Sequence, residues 1–206
     1  MMNEQGFDLW ADGYDRSVGL SDEDGTYPFA GYKAVLNRIY QGILQTPRAQ
    51  VLDIGFGTAT LTARLYAQGC EITGVDFSSR MIELAREKMP EARLYQADFS
   101  RGLPEAVMNR TYDAIVATYS LHHLTDAQKV EFIGSLLSLL KDGGRIWIGD
   151  VAFETRAALE ECARASGDAW DGDEHYFVYD QIRACLGGNV TFEKASYCAG
   201  VLTMGK

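Results

Sequence analysis

Positive charge, paired cysteines and long apolar runs are all scarce in this chain of 206 residues, and each scarcity excludes something. Lys and Arg number 19 against 29 Asp and Glu, a formal charge of −10. Nucleic acid binding depends on neutralising phosphates with Lys and Arg, so a nucleic acid partner is not expected. The four cysteines, Cys70, Cys162, Cys185 and Cys198, are far apart and make no CxxC pair. A thiolate zinc site or a disulfide framework therefore has little support, and free thiols in a reducing cytoplasm are expected. No stretch approaches the roughly 18 uninterrupted apolar residues of a membrane span. Met1 to Trp10 carries Glu4 and Asp8 without a basic or apolar region, so no secretory signal is expected.

What is present is an ordinary globular balance, 47% hydrophobic and 23% charged, enough for one domain with a small cap. Phe7, Trp10, Tyr14 and Val18 recur at roughly helical intervals, and Tyr32 to Leu44 carries a second helical stripe ended by Pro47. From there strands and helices alternate. Strands are predicted at 51–54, 71–76, 92–96, 113–118 and 145–151, with helices at 60–67, from Ser78 or Ser79 to Met89, and from Thr125 to Leu140. The last of these opens on a capping box, Thr125 to Gln128. Asp142-Gly143-Gly144 reads as the turn after it. Helices at 155–166 and 178–186 and a hairpin of 190–195 with 197–204 complete the chain.

The pattern predicts an α/β fold. Its sheet is seven-stranded, Rossmann-like and mostly parallel, with one antiparallel strand in the C-terminal hairpin and helices on both faces. A single domain over 1–206 divides into an N-terminal helical cap (1–45), a core (46–151), and a helical insertion with the hairpin (152–206). The cap is expected to cover the sheet's carboxyl edge as a lid.

The site signal lies at Val51-Leu52-Asp53-Ile54-Gly55-Phe56-Gly57-Thr58-Ala59-Thr60-Leu61. A buried strand ends in a glycine turn and a helix follows, which lets backbone approach a nucleotide-like ligand. The dinucleotide fingerprint G-x-G-x-x-G fails at Thr60. Asp76, 21 positions after Gly55 and at the end of the second strand, can accept both ribose hydroxyls. Asp98-Phe99 follows the third strand, and Thr118-Tyr119-Ser120-Leu121-His122-His123-Leu124 follows the fourth. Lys141-Asp142-Gly143-Gly144 leads into the fifth.

In this order, the motifs resemble those of class I methyltransferases that use S-adenosylmethionine (SAM), over roughly residues 50–151. With Trp10-Ala11-Asp12-Gly13-Tyr14-Asp15 and Leu121 to Asp126, the likeness is greatest to small bacterial YrrT-like methyltransferases. The resemblance implies that Asp53, Gly55 and Gly57 surround the methionine part of SAM and that Asp76 holds the ribose. It places Phe77, Asp98 and Phe99 near the adenine, and Thr118 beside the transferable methyl. Trp10, Tyr14 and Tyr119 are candidates for the acceptor side. The family motif usually carries a third glycine where Ala59 stands, which adds a methyl near the methionine.

No catalytic residue follows directly. His122, His123 and Tyr14 are the candidates if the acceptor must lose a proton. No metal is expected, because adjacent histidines are not an i, i+4 ligand pair and no carboxylate cluster joins them; His175, in a polar loop, receives no role. The expected activity is in-line methyl transfer from SAM to a small-molecule acceptor, leaving S-adenosylhomocysteine (SAH). The alternatives are a non-catalytic SAM-binding module and an NAD-dependent oxidoreductase.

Overall fold

The computed structural model describes residues 24–187 and 189–206. Helix α1 (Tyr32–Ile43) leads to strand β1 (Gln50–Ile54), α2 (Thr60–Ala67), β2 (Glu71–Asp76), α3 (Ser79–Lys88) and β3 (Arg93–Gln96). A short α4 (Glu105–Met108), β4 (Tyr112–Thr118), α5 (Asp126–Ser138) and β5 (Leu140–Phe153) follow. The chain ends with α6 (Arg156–Ser166), β6 (Phe177–Val178), α7 (Tyr179–Leu186), β7 (Val190–Lys194) and β8 (Ala199–Gly205).

The main sheet runs β3-β2-β1-β4-β5-β8-β7, and the two-residue β6 pairs with the end of β5. β1 to β5 are mutually parallel, and β8 runs antiparallel to both β5 and β7. Alternate residues of the inner strands feed opposite layers, as a period of two requires. Val51, Val116, Trp147 and Val201 meet Leu36, Ile39, Leu61 and Met81 of α1, α2 and α3. Leu52, Ile115, Ile146 and Ile148 meet Ile133 and Leu136 of α5 and Ile182 of α7.

Three details differ from the expectation. Within the described part of the cap, α1 packs on a face of the sheet. Gly149 of β5 permits this, because a Cβ there would strike Val35 and Ile39. Asp142 to Gly144 does not leave the sheet; β5 already runs from Leu140, and the register shifts between Tyr112 and Ala114. Gly143, at φ 78°, makes an irregularity within the strand. Finally, the spacing of Val130, Ile133, Leu137 and Leu140 predicts an apolar core face for α5, whereas the helix buries Lys129 beside Ile133 and Leu136.

Candidate active site

The glycine turn leaves β1 at the carboxyl edge. Gly55, Gly57 and Ala59 all take positive φ, at 68°, 54° and 59°. The two glycines serve different ends. A Cβ on Gly55 would lie 2.6 Å from Cβ of Ser120, whereas one on Gly57 would meet nothing within 4 Å. Gly55 thus lets the turn pack on the loop after β4, and Gly57 borders open space. The Ala59 methyl lies wholly within the apolar core.

Asp53 is 1% exposed. Its Oδ2 accepts a hydrogen bond from Thr62 Oγ1, and its Oδ1 is buried without a partner. Burial pushes its pKa up to about 7; Thr62 opposes the rise and the nearby Asp76 adds to it. Such a carboxylate has an unmet need for a cation or donor. Asp76 is also buried. Gly57 N–H donates to its Oδ2 at 2.8 Å and Ser78 N–H to its Oδ1 at 3.0 Å. Ser78 in turn caps α3 by accepting from Met81 N–H at 3.1 Å. Lys88 donates to Thr58 O at 2.7 Å and ties the turn to the same helix.

The other predicted cofactor residues are positioned less sharply. Phe77 is half-buried and its carbonyl accepts from Gln96 Nε2. Asp98 lies at the surface, where it accepts from Ser100 N–H and Oγ and pairs with Arg101 at 3.1 Å. Phe99 stacks on Phe132 at 5.7 Å within the core. Thr118 ends β4 beside Gly149.

The loop after β4 forms the second half. Tyr119, at φ 50°, donates its N–H to Gly149 O at 2.8 Å. Its ring lies 5.4 Å from Phe29 and 5.2 Å from Tyr32. Ser120 Oγ donates to Ile54 O at 2.8 Å and so binds this loop to the glycine turn. Two residues later, His122 Nδ1 donates to Asp150 Oδ1 at 2.7 Å. Asp150 is fully buried on β5, where Val151 N–H holds the same oxygen at 2.8 Å. Burial opposes a charge on His122, but the contacting Asp150 and nearby Glu174 outweigh it and raise its pKa. Glu174 Oε2 lies 3.7 Å from His122 Nε2 and 3.1 Å from His123 Nδ1. Burial would raise the Glu174 pKa, yet the histidines hold it below the usual value.

The segment carrying Glu174 is fixed from both sides. His175 N–H donates to His122 O at 2.8 Å, and Lys129 Nζ donates to His175 O. Lys129 is fully buried, pairs with Asp126 at 3.2 Å and sits 4.5 Å from the Phe177 ring centre. Beyond it, Trp170 and Tyr176 pack at 4.9 Å, and Tyr27 stacks on Trp170 at 5.0 Å.

The site therefore brings Asp53, Gly55, Gly57 and Asp76 together at the turn, and Tyr119, His122 and His123 at the neighbouring loop. Trp10 and Tyr14 lie outside the described residues. Asp150, Glu174 and Lys129 were absent from the sequence expectation. The charge of Asp150 within the apolar run from Ile146 to Phe153 was the available signal for it. Glu174 had no such signal. The reading that no carboxylate joins His122 and His123 is corrected, because the 170–176 loop folds back and delivers Glu174.

This strand order and edge arrangement are those of a class I methyltransferase. A methyltransferase domain model matches residues 51–144. The chain is 38% identical over 154 residues to an uncharacterized methyltransferase of Anoxybacillus flavithermus, covering 75% of this chain and 69% of that protein. It is 31% identical over 206 residues to the YrrT methyltransferase of Halobacillus halophilus, covering 95% and 93%. The solved complex of DhpI with SAM and HEP superposes with a TM-score of 0.73 at 19% identity, over 97% of this chain and 94% of that one. Magnesium protoporphyrin IX methyltransferase from Synechocystis with bound SAH gives 0.66 at 18% identity, over 86% and 85%. The chain belongs to the YrrT-like family of SAM-dependent methyltransferases.

Proposed function

We propose that the enzyme transfers the methyl group of SAM to the hydroxyl oxygen of a small molecule held against His122, His123 and Glu174. The observation that supports this reading is the buttressed imidazole pair beside the glycine turn, joined to it through Ser120 and Ile54. In this reading Asp76 exchanges its backbone partners for the ribose hydroxyls. Gly57 leaves room for the cofactor, and the orphaned Asp53 Oδ1 meets the ammonium of the methionine part. The transfer is an in-line displacement: the oxygen–methyl bond forms as the sulfonium–methyl bond breaks, leaving SAH. Orientation of the two reactants supplies roughly 7–11 kcal/mol of barrier lowering in favourable cases. A hydroxyl must also lose its proton, and the imidazole–carboxylate cluster is the group that takes it. An amine or thiolate acceptor would need no such cluster.

The small size of the acceptor accords with the chain's acidity and with the aromatic wall of Phe29, Tyr32 and Tyr119 near the edge. Among the described residues no helix is long and apolar enough to cross a membrane. The test is SAH formation from SAM with a panel of small hydroxyl, amine and thiol compounds. Hydroxyl compounds are expected to be methylated, and His122→Gln is expected to lower kcat by about 10²–10⁴-fold with SAM affinity unchanged. Full activity of that variant, or methylation confined to amines and thiols, would refute the reading.

A further inference from the structure

We propose that His122, His123 and Glu174 form a binding site for one divalent transition-metal ion, with Zn²⁺ as the reference case. One ligand atom from each residue lies within 4.8 Å of the other two. Glu174 Oε2 stands 3.7 Å from His122 Nε2 and 3.1 Å from His123 Nδ1. Bonds of about 2.0–2.1 Å at a tetrahedral ion put ligand atoms roughly 3.3 Å apart, and these two separations bracket that value. Adjacent histidines can share an ion here because they lie in a 3₁₀ turn, Leu121–His123. One offers its far nitrogen and the other its near nitrogen, with ring centres 4.3 Å apart.

Two further observations point to an ion. Asp150 binds the Nδ1–H of His122, which fixes the proton there and leaves the Nε2 lone pair for a ligand bond. This carboxylate–histidine support is the usual outer partner of a metal-bound imidazole. Glu174 Oε2 is buried against both imidazoles, so a carboxylate oxygen points into the cluster alongside the two ring nitrogens. The local charge also favours a cation. Asp150 and Glu174 face Lys129, whose charge Asp126 already pairs.

Two imidazoles and one carboxylate suit zinc and its first-row neighbours better than magnesium or calcium, which prefer oxygen alone. Three protein ligands leave coordination positions for water or for an oxygen of the acceptor. The role of the ion toward the acceptor rests on the proposed function: with an ion bound, the imidazole lone pairs are its ligands and the acceptor's proton would pass to an ion-held hydroxide in their place; the binding of the ion does not rest on that reading.

The test is calorimetric titration of the chelator-washed full chain with Zn²⁺, together with visible spectroscopy of the Co²⁺ form. One ion per chain and the ligand-field bands of low-coordinate Co²⁺ are expected. Glu174→Gln should weaken Zn²⁺ by at least about 100-fold, and Asp150→Asn by about 10–100-fold. SAM affinity of each variant, measured in parallel, confirms that it is folded. Absence of Zn²⁺ binding to the wild-type chain overturns the proposal, as does equal binding by Glu174→Gln and His123→Gln. The readout is binding, so a failure to methylate hydroxyl compounds would overturn the proposed function and leave this result standing.

Discussion

The two halves of the site are built in opposite ways. The half proposed to hold the cofactor is backbone first: two glycines at positive φ, N–H groups on Asp76, and a helix cap, all from one β-α-β stretch between Asp53 and Ser78. The half proposed to meet the acceptor is side chain first. His122 and His123 come from the loop after β4, Asp150 from β5, Glu174 from the loop before β6, and Lys129 from α5. A backbone site can serve one cofactor across many enzymes, because its shape depends on a few glycines. A site assembled from distant side chains can change one member at a time, which suits the acceptor-selecting role proposed for it.

The largest expected effects come from placing the same substitution at the two glycines. Gly55→Ala puts a methyl 2.6 Å from Ser120 Cβ at a left-handed backbone position. Left-handed strain costs roughly 1–2 kcal/mol and overpacking typically 1–3 kcal/mol, so a loss of about 2–5 kcal/mol is expected in denaturant unfolding. Because Ser120 joins the halves, transfer should suffer along with cofactor binding. Gly57→Ala carries only the backbone cost, about 1–2 kcal/mol, since no atom lies within 4 Å. Its methyl enters the space assigned to SAM, so its main effect should be on SAM affinity. Equal stability losses in the two variants would break the distinction between a packing glycine and a ligand-facing one.

A smaller effect is expected from pH, and it falls on the cofactor half. The Asp53 pKa is raised from 3.8 to about 7, so the folded state binds a proton that the unfolded state releases more easily. That contribution to stability is fully present below about pH 4 and is lost as pH rises through about 7. Cofactor binding should have the opposite sign, because in the proposed reading the ammonium of SAM pairs with the ionised carboxylate. Between pH 6 and 8, SAM should bind about tenfold more tightly at the upper end, roughly 1.4 kcal/mol. Asp53→Asn should flatten this profile. A profile that stays steep in the variant would assign the titration to another group.

The same contrast explains what the sequence disclosed. Asp53, Gly55, Gly57 and Asp76 are legible because strand, turn and helix signals fall next to one another, and each constrains the next. The parallel sheet and its closing hairpin are legible from alternation alone. The bend in β5 at Gly143 was not, since a glycine pair marks a turn and a strand irregularity equally well. Lys129 breaks the apolar stripe of α5, and only its partners, Asp126, the His175 carbonyl and the Phe177 ring, make its burial tolerable. Glu174 reaches the histidines by a loop that follows no periodicity, and nothing local records where it lands.

The smallest expected effect concerns Ala59, where the family usually has glycine. Its φ of 59° and ψ of 32° are left-handed, which costs an alanine roughly 1–2 kcal/mol. Its methyl is fully buried in the core beside the sheet, worth about 0.8 kcal/mol by removal from water. The two nearly cancel, so Ala59→Gly should change stability by less than about 1 kcal/mol, with a small gain favoured by the backbone. Because the methyl packs into the core and Gly57 supplies the open side, SAM affinity should stay within about twofold, well below the 1.4 kcal/mol of a tenfold change. Thermal melts with and without SAM would check both. A marked tightening of SAM in the glycine variant would show that the methyl reaches the cofactor, and would move Ala59 from the packing side of the turn to its ligand side.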